Sequence, residues 1–402
     1  MKRISNVWKD AIDKTNAYLA LVNGTKNKRT KRQVKRFLYS EEDVAKNKSL
    51  WHNIDPKKGK PYANMLANRL ETKTWVHNPP RHQRKYCANR ASCKGKWRDL
   101  YIPGLDDHIM HHMIMSASME AFTRGMHPHC CGSIPGRGIK HVIKTVSNWL
   151  ENDLECRYFV KLDIRKFFDN IDREILMSKL ERKIKDKDIL WAHRQIIYSA
   201  PVACPVGYYP SPWYANLYLE ELDWFIEQQL FKTRRGKRIK YARHSLRYVD
   251  DILLIGTSKS DLDKAVRAIQ RYLDENYDLS IKPTWEIKKI GKHEFVDGKW
   301  RLRPGTYWCD IGGYKFCKDA TVLRDGIFLS TQRLAKKMYK QGYYTDHQCR
   351  SINAKVAWAE HCDSLYFLRD RINPYVDINT TRRLISNVDK ERKRRACKTT
   401  GN

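Results

Sequence analysis

Arg247-Tyr248-Val249-Asp250-Asp251-Ile252-Leu253-Leu254-Ile255 is the stretch on which the reading of the fold turns. Two adjacent aspartates sit inside an apolar, β-forming run. Buried and unpaired, such carboxylates lose several kcal/mol of hydration. The run reads as a hairpin over 246–255 with an Asp-Asp tip, and a divalent cation at that tip offsets most of the cost. A chance Asp-Asp turn would read the same way. A third carboxylate decides between them. In Phe159-Val160-Lys161-Leu162-Asp163-Ile164-Arg165-Lys166-Phe167-Phe168-Asp169 the spacing predicts a strand over 156–162, with Tyr158, Val160 and Leu162 on one face and Asp163 at its end. If that strand lies beside the hairpin, Asp163, Asp250 and Asp251 meet at one edge. Two Mg²⁺ ions about 4 Å apart need such a cluster to activate a hydroxyl and stabilise a leaving pyrophosphate. The chemistry expected is nucleotidyl transfer.

Helices are expected over 172–185, 215–231 and 262–277, with a further strand through Leu279 and Ile281. The expected architecture is an α+β sandwich with helices on one sheet face. The chain has 402 residues, room for two or three units or one multi-lobed enzyme, and its 41% apolar and 11% aromatic content excludes wholesale disorder. Lys and Arg total 78 against 45 Asp and Glu, a net charge of +33. A polyanionic partner offsets such self-repulsion, nucleic acid first and an anionic membrane surface second. Dense basic stretches lie over 26–36, over 232–247 and in the tail from residue 381. The apolar stretch over 17–22 is far shorter than the ~20 residues of a spanning helix and lacks the order of a secretory signal. Eleven scattered cysteines, odd in number, suit reduced thiols in a cytosolic compartment. Cys87, Cys93, His127, His129, Cys130 and Cys131 invite a zinc reading, but no Cys-x2-Cys pair supports it.

The Tyr-Val-Asp-Asp block, following Asp163 and its aromatic pair Phe167-Phe168, resembles the palm of reverse transcriptases. Pro205-Val206-Gly207-Tyr208-Tyr209-Pro210-Ser211-Pro212-Trp213-Tyr214-Ala215-Asn216-Leu217-Tyr218-Leu219 lies between them and is similar to a Gly-x3-Ser-Pro-x2-Ala-Asn-x-Tyr-Leu segment of the bacterial enzymes, with Leu222-Asp223 after it. The resemblance covers residues 94–378. It implies a right-hand polymerase: an N-terminal basic extension over 1–90, fingers over 91–155, an antiparallel palm with primer grip over 156–320, and a helical thumb with basic tail over 321–402.

The same resemblance implies roles. Asp163 and Asp250 ligate Mg²⁺, or Mn²⁺ in its place, with Ile164 beside them and Asp251 in support. Lys96, Arg98, Arg165, Lys166, Phe168, Val206 and Gly207 attend the incoming dNTP, and Phe168 excludes a ribose 2′-hydroxyl. For Phe168 a plain core role is the alternative; for Arg165 and Lys166 it is a surface one. Arg137, in the glycine-rich turn Gly132-Ser133-Ile134-Pro135-Gly136-Arg137-Gly138, attends primer and template with Ser211, Pro212, Tyr248 and the grip residues Gly312, Gly313 and Tyr314. Val206 departs from the glutamine of retroviral enzymes, and Pro-Val-Gly resembles the diversity-generating retroelement enzymes. Ser211-Pro212 is instead shared with group II intron enzymes. The loss of glutamine implies error-prone or context-restricted copying.

The activity so implied is RNA-directed DNA polymerisation, in antiphage defence or a diversity-generating retroelement. Its partners are an RNA template, a dedicated structured RNA, dNTPs and the DNA product, with an accessory protein or a second copy as further candidates and no membrane. The charge exceeds what one short template-primer duplex needs, which favours the extensive RNA partner. The chain leaves no room for RNase H, homing endonuclease or integrase units, so other proteins would process the product. The rivals are an RNA-dependent RNA polymerase, opposed by Phe168 and by Val249 before the aspartates, and a non-catalytic RNA-binding scaffold, opposed by the three carboxylates.

Overall fold

The computed structural model describes residues 3–50, 52–88, 95–296 and 299–398. It opens with five helices: α1 (Val7–Ile12), α2 (Lys14–Gly24), α3 (Arg32–Lys35), α4 (Glu41–Lys46) and α5 (Pro56–Glu71). Asp13 caps α2, and Asp55 with Pro56 at the first turn starts α5. An antiparallel hairpin of β1 (Arg81–Ala88) and β2 (Gly95–Ile102) then leads into α6 (Leu105–Thr123). Ala17, Leu21, Leu66, Leu70 and Trp75 share one continuous core with Ile109 and Met113 of α6, and with Val160, Leu162 and Ile252 further along the chain. The β1–β2 hairpin straddles residue 90, the boundary expected between extension and fingers. The basic stretch over 26–36 is turn and one short helix; part of it turns inward, where Arg29 Nη2 donates to the Val22 carbonyl at 2.9 Å.

The next elements are β3 (Cys130–Cys131), α7 (Ile139–Asn152), β4 (Tyr158–Asp163), α8 (Arg173–Lys183), α9 (Lys187–Ile197), α10 (Ser211–Tyr218) and α11 (Glu220–Gln228). An exposed hairpin of β5 (Phe231–Arg234) and β6 (Lys237–Lys240) precedes β7 (His244–Tyr248), β8 (Asp251–Gly256), α12 (Lys259–Tyr277) and β9 (Lys288–Lys289). Five strands form the central sheet in the order β3-β7-β8-β4-β9. Alternate residues of β8 go to opposite faces: Ile252 and Leu254 join the large core, Leu253 and Ile255 a second one with Val142, Val146, Ile311 and Phe316. Both faces are therefore covered, not one as expected, which is why 252–255 reads as an unbroken apolar run.

Two expected elements differ. The helix over 215–231 is two helices, because Leu219 (φ −98°, ψ 9°) leaves helical geometry. Leu217, Leu219 and Leu222 are all buried, so apolar spacing carries no mark of the break. The strand through Ile281 is only an isolated bridge to Ile164, since the Ile281 N–H donates to Gln270 Oε1 at 2.9 Å and no ladder extends.

Downstream lie the β10 (His293–Val296) and β11 (Lys299–Leu302) hairpin, then a three-stranded sheet of β12 (Cys309–Ile311), β13 (Tyr314–Phe316) and β14 (Thr321–Leu323). Gly312 (φ 61°) and Gly313 (φ 94°) make the β12–β13 turn; both central residues are left-handed, as a tight hairpin turn demands. Four helices close the chain: α13 (Asp325–Gln341), α14 (Asp346–Ala359), α15 (Leu365–Phe367) and α16 (Ile378–Lys398).

Candidate active site

The β4–β8 ladder ends on Asp163 opposite Asp251, and the β7–β8 ladder ends on Tyr248 opposite Asp251. Val249 and Asp250 form the turn between, so all three carboxylates stand at one end of the sheet. Val249 holds φ 60°, a left-handed position that a β-branched side chain rarely adopts and that costs about 1–3 kcal/mol. Two ammonium groups face the carboxylates: Lys282 Nζ lies 2.6 Å from Asp163 Oδ1, and Lys161 Nζ lies 3.2 Å from Asp251 Oδ2. Burial, then the charges of Asp251 and Asp163, raise the Asp250 carboxyl above its usual range. Burial raises Asp251 too, with Asp163 adding to it and Lys161 opposing. Hard oxygen donors crowded into mutual repulsion fit divalent cations.

The strained turn is held from behind. Arg247, the residue before Tyr248, is fully buried. Its Nε and Nη2 reach Asp223 Oδ1 and Oδ2 at 2.7 and 2.6 Å, and Nη1 donates to the Val249 carbonyl at 2.9 Å. Asn216 Oδ1 accepts from Nη1 at 3.2 Å, while its amide donates to the Gly132 carbonyl at 2.9 Å. This network was not assigned from sequence, although a lone arginine within an apolar strand signals a buried partner. Lys161 was legible too: it lies two residues before Asp163 and so on the same strand face. Arg324, which pairs with Asp310, comes from a distant segment. An open cleft of about 640 Å³ beside these groups is lined by Lys161, Lys288, Tyr307, Asp310, Lys315 and Arg324.

Other expected site residues are placed as follows. Ile164 is buried against Ile281, so only its main chain can face a cation. Arg165 and Lys166 are exposed just past β4, and Phe168 is half-buried with its ring 5.5 Å from Phe167. Lys96 and Arg98 are exposed on β2, whose Tyr101 N–H donates to the Val206 carbonyl at 2.8 Å. Gly207, at φ 118°, lies so close to Tyr101 that a Cβ would stand 2.4 Å from its carbonyl oxygen. This contact ties the β1–β2 hairpin to the rest of the site. Ser211 is buried and donates to the Pro205 carbonyl at 2.7 Å, with Pro212 in the first turn of α10. The Arg137 guanidinium, expected at phosphate, donates to the His127 carbonyl at 2.8 Å. Tyr248 is half-buried on the second core. Tyr314, expected at the primer, is buried, stacked on Trp358 at 5.6 Å and donating to its carbonyl, beside the Gly312-Gly313 turn.

The zinc reading gains no geometry. Cys93 and Lys94 lie outside the described residues, and Cys130 takes a hydrogen bond from Arg247 at 3.1 Å. Among the described residues, the mixed ligand groups that come within 4.8 Å are Asp153, Cys156 and His244, and His293, Cys317 and Asp319; they also bond one another. No helix among the described residues is long and apolar enough to cross a membrane.

Residues 80–284 match the family model described as reverse transcriptase (RNA-dependent DNA polymerase). The chain is similar to protein YkfC of Escherichia coli, at 25% identity over 43% of this chain and 54% of that protein. It is 22% identical to the retron Ec73 reverse transcriptase of Escherichia coli over 74% of this chain and 90% of the relative. Against the group II intron-encoded protein LtrA of Lactococcus lactis it is 29% identical, over 42% of this chain and 29% of LtrA. Apo telomerase from Candida tropicalis aligns with a TM-score of 0.43 at 13% identity, over 78% of this chain and 64% of that one. The matched segment contains Asp163, Asp250 and Asp251, together with the Arg247 network, and covers half the chain: it belongs to the reverse transcriptase (RNA-dependent DNA polymerase) family.

Proposed function

We propose that this protein is an RNA-directed DNA polymerase that extends a primer 3′-hydroxyl with dNTPs, with Asp163, Asp250 and Asp251 holding two Mg²⁺ ions. The observation that carries this reading is the register: Asp163 faces Asp251 across the ladder, with Asp250 at the adjoining turn. Asp163, Asp250 and Asp251 would hold the divalent cations, Mg²⁺ or Mn²⁺, which would supply Lewis acidity for the 3′-hydroxyl and the leaving pyrophosphate. The chain's own part is positioning. Arg247 fixes the turn through the Val249 carbonyl. Lys161 and Lys282 offset carboxylate charge at the end of the sheet. The Val206–Gly207 backbone brings the β1–β2 hairpin, with exposed Lys96 and Arg98, towards the triphosphate. Phe168, five residues after Asp163 and half-buried, would restrict the sugar to deoxyribose.

A net charge of +33 supports a structured RNA partner beyond the template-primer duplex, in an antiphage system or a diversity-generating retroelement. The test is Mg²⁺-dependent dNTP incorporation by Asp250→Asn and Asp251→Asn, with RNA binding measured in parallel. Incorporation falls below detection while binding stays within about two-fold, because one carboxylate barely alters so basic a surface. Undiminished incorporation by Asp250→Asn refutes the assignment.

A further inference from the structure

We infer that the β5–β6 hairpin is a second nucleic-acid contact, which grips the phosphate backbone of RNA lying outside the polymerase cleft. The inference rests on the proposed function only in taking RNA as the partner. The hairpin leaves the palm at the end of the sheet away from the carboxylates. Its base closes where the Tyr241 N–H donates to the Leu230 carbonyl, and the Tyr241 carbonyl packs at Gly256, the last residue of β8. From Gly256 to Asp251 the strand runs roughly 17 Å, at about 3.3 Å per residue. The tip therefore serves a different stretch of polyanion from the cleft.

Its cations divide into two sets. Those at the base are engaged: Lys232 Nζ lies 2.6 Å from Asp261, Lys240 pairs with Glu227, and Arg238 stacks 3.5 Å over Phe231 while donating to the Gln228 carbonyl. These contacts anchor a two-stranded element that would be marginal alone. Arg234, Arg235 and Lys237 at the tip are exposed, and none has an acidic partner among the described residues. Two features of the tip oppose folding. Arg234 stands directly across from Lys237 in the ladder, a like-charge pair that repels. Arg235, at φ 48°, occupies with Gly236, at φ 74°, a turn whose left-handed positions favour glycine or asparagine. Three charges are thus concentrated against both electrostatic and backbone preference. A line of phosphates relieves the repulsion; an acidic protein face is not needed to hold the hairpin, whose base is already paired.

The test compares wild type with the triple variant Arg234→Ala, Arg235→Ala, Lys237→Ala. The probes are an RNA stem-loop of about 40 nucleotides, a template-primer duplex of about 8 base pairs, and vesicles containing phosphatidylserine. For the stem-loop, the slope of log affinity against log salt should fall by about 2–3, at 0.7–0.9 per phosphate released. Extension of the short duplex by the variant should match wild type, which also keeps failure of the polymerase assignment separate from failure of this one. An unchanged stem-loop slope overturns the inference. So does an equal loss on the short duplex, which would put the hairpin in the cleft, or a loss confined to the vesicles, which would make it a membrane contact.

Discussion

Asp223→Asn isolates the support behind the Val249-Asp250 turn. The substitution keeps the shape of the side chain but removes the charge facing a guanidinium whose side chain is 1% exposed. Two charge-assisted bonds, at 2.7 and 2.6 Å, become one neutral acceptor and one donor aimed at a donor. Breaking one side of a buried pair costs about 3–5 kcal/mol, and an amide that still accepts one bond belongs at the lower end, about 3 kcal/mol. At about 2–4 °C per kcal/mol for a unit of 150–250 residues, Tm falls by roughly 6–12 °C in thermal denaturation. The double variant Asp223→Leu, Arg247→Met removes both charges and fills the space, which often restores stability. Activity should part company with stability there, because the Val249 carbonyl loses the donor at 2.9 Å that holds the strained turn. Single-turnover dNTP incorporation by the double variant should stay at least about ten-fold below wild type even with Tm recovered. A Tm loss under about 2 °C in Asp223→Asn, or wild-type incorporation by the double variant, refutes the positioning argument.

Metal-free Asp250→Asn should melt above metal-free wild type at neutral pH. The raised carboxyl of Asp250 contributes stability that is complete below the ordinary carboxylate pKa of about 4 and is lost as pH rises through the raised folded value, so the charged form is a burden the amide lacks. Added Mg²⁺ should raise Tm in wild type and much less in the variant; a lower metal-free Tm for Asp250→Asn counts against this reading. Gly207→Ala places a Cβ 2.4 Å from the Tyr101 carbonyl at a φ of 118°, a strain of roughly 1–3 kcal/mol. Loosened fingers should raise the KM for dNTP more than they lower kcat and speed hydrogen exchange in β1 and β2; unchanged exchange rules out the coupling. Phe168→Ala should admit ribonucleotides in single-nucleotide extension with dGTP and GTP in parallel, and unchanged discrimination would mark Phe168 as core alone.

Local chemistry alone determined the centre of this molecule. An Asp-Asp pair between β-forming runs is costly to bury unpaired, and Asp163 follows directly on the strand expected over 156–162, so hairpin, strand and carboxylate cluster were legible in residues 156–163 and 246–255. The helices over 172–185 and 262–277 were legible from apolar spacing for the same reason. Tertiary structure decided what depends on partners distant in sequence. The second covered face of the sheet comes from α7 and from β12–β14, and an apolar run does not say what covers it. The N-terminal helices join the main core through α6 and through α9, where Trp8 and Trp75 meet Trp191. Arg137 and Tyr314 were implied as primer or template contacts by the resemblance of their motifs, which carries no sign that the His127 carbonyl accepts from one and that Trp358 packs on the other. The engaged and free cations of the 232–247 stretch look alike in sequence; the placement of Asp261, Glu227, Asp153 and Asp223 divides them, because charge pairing is set by distance in space.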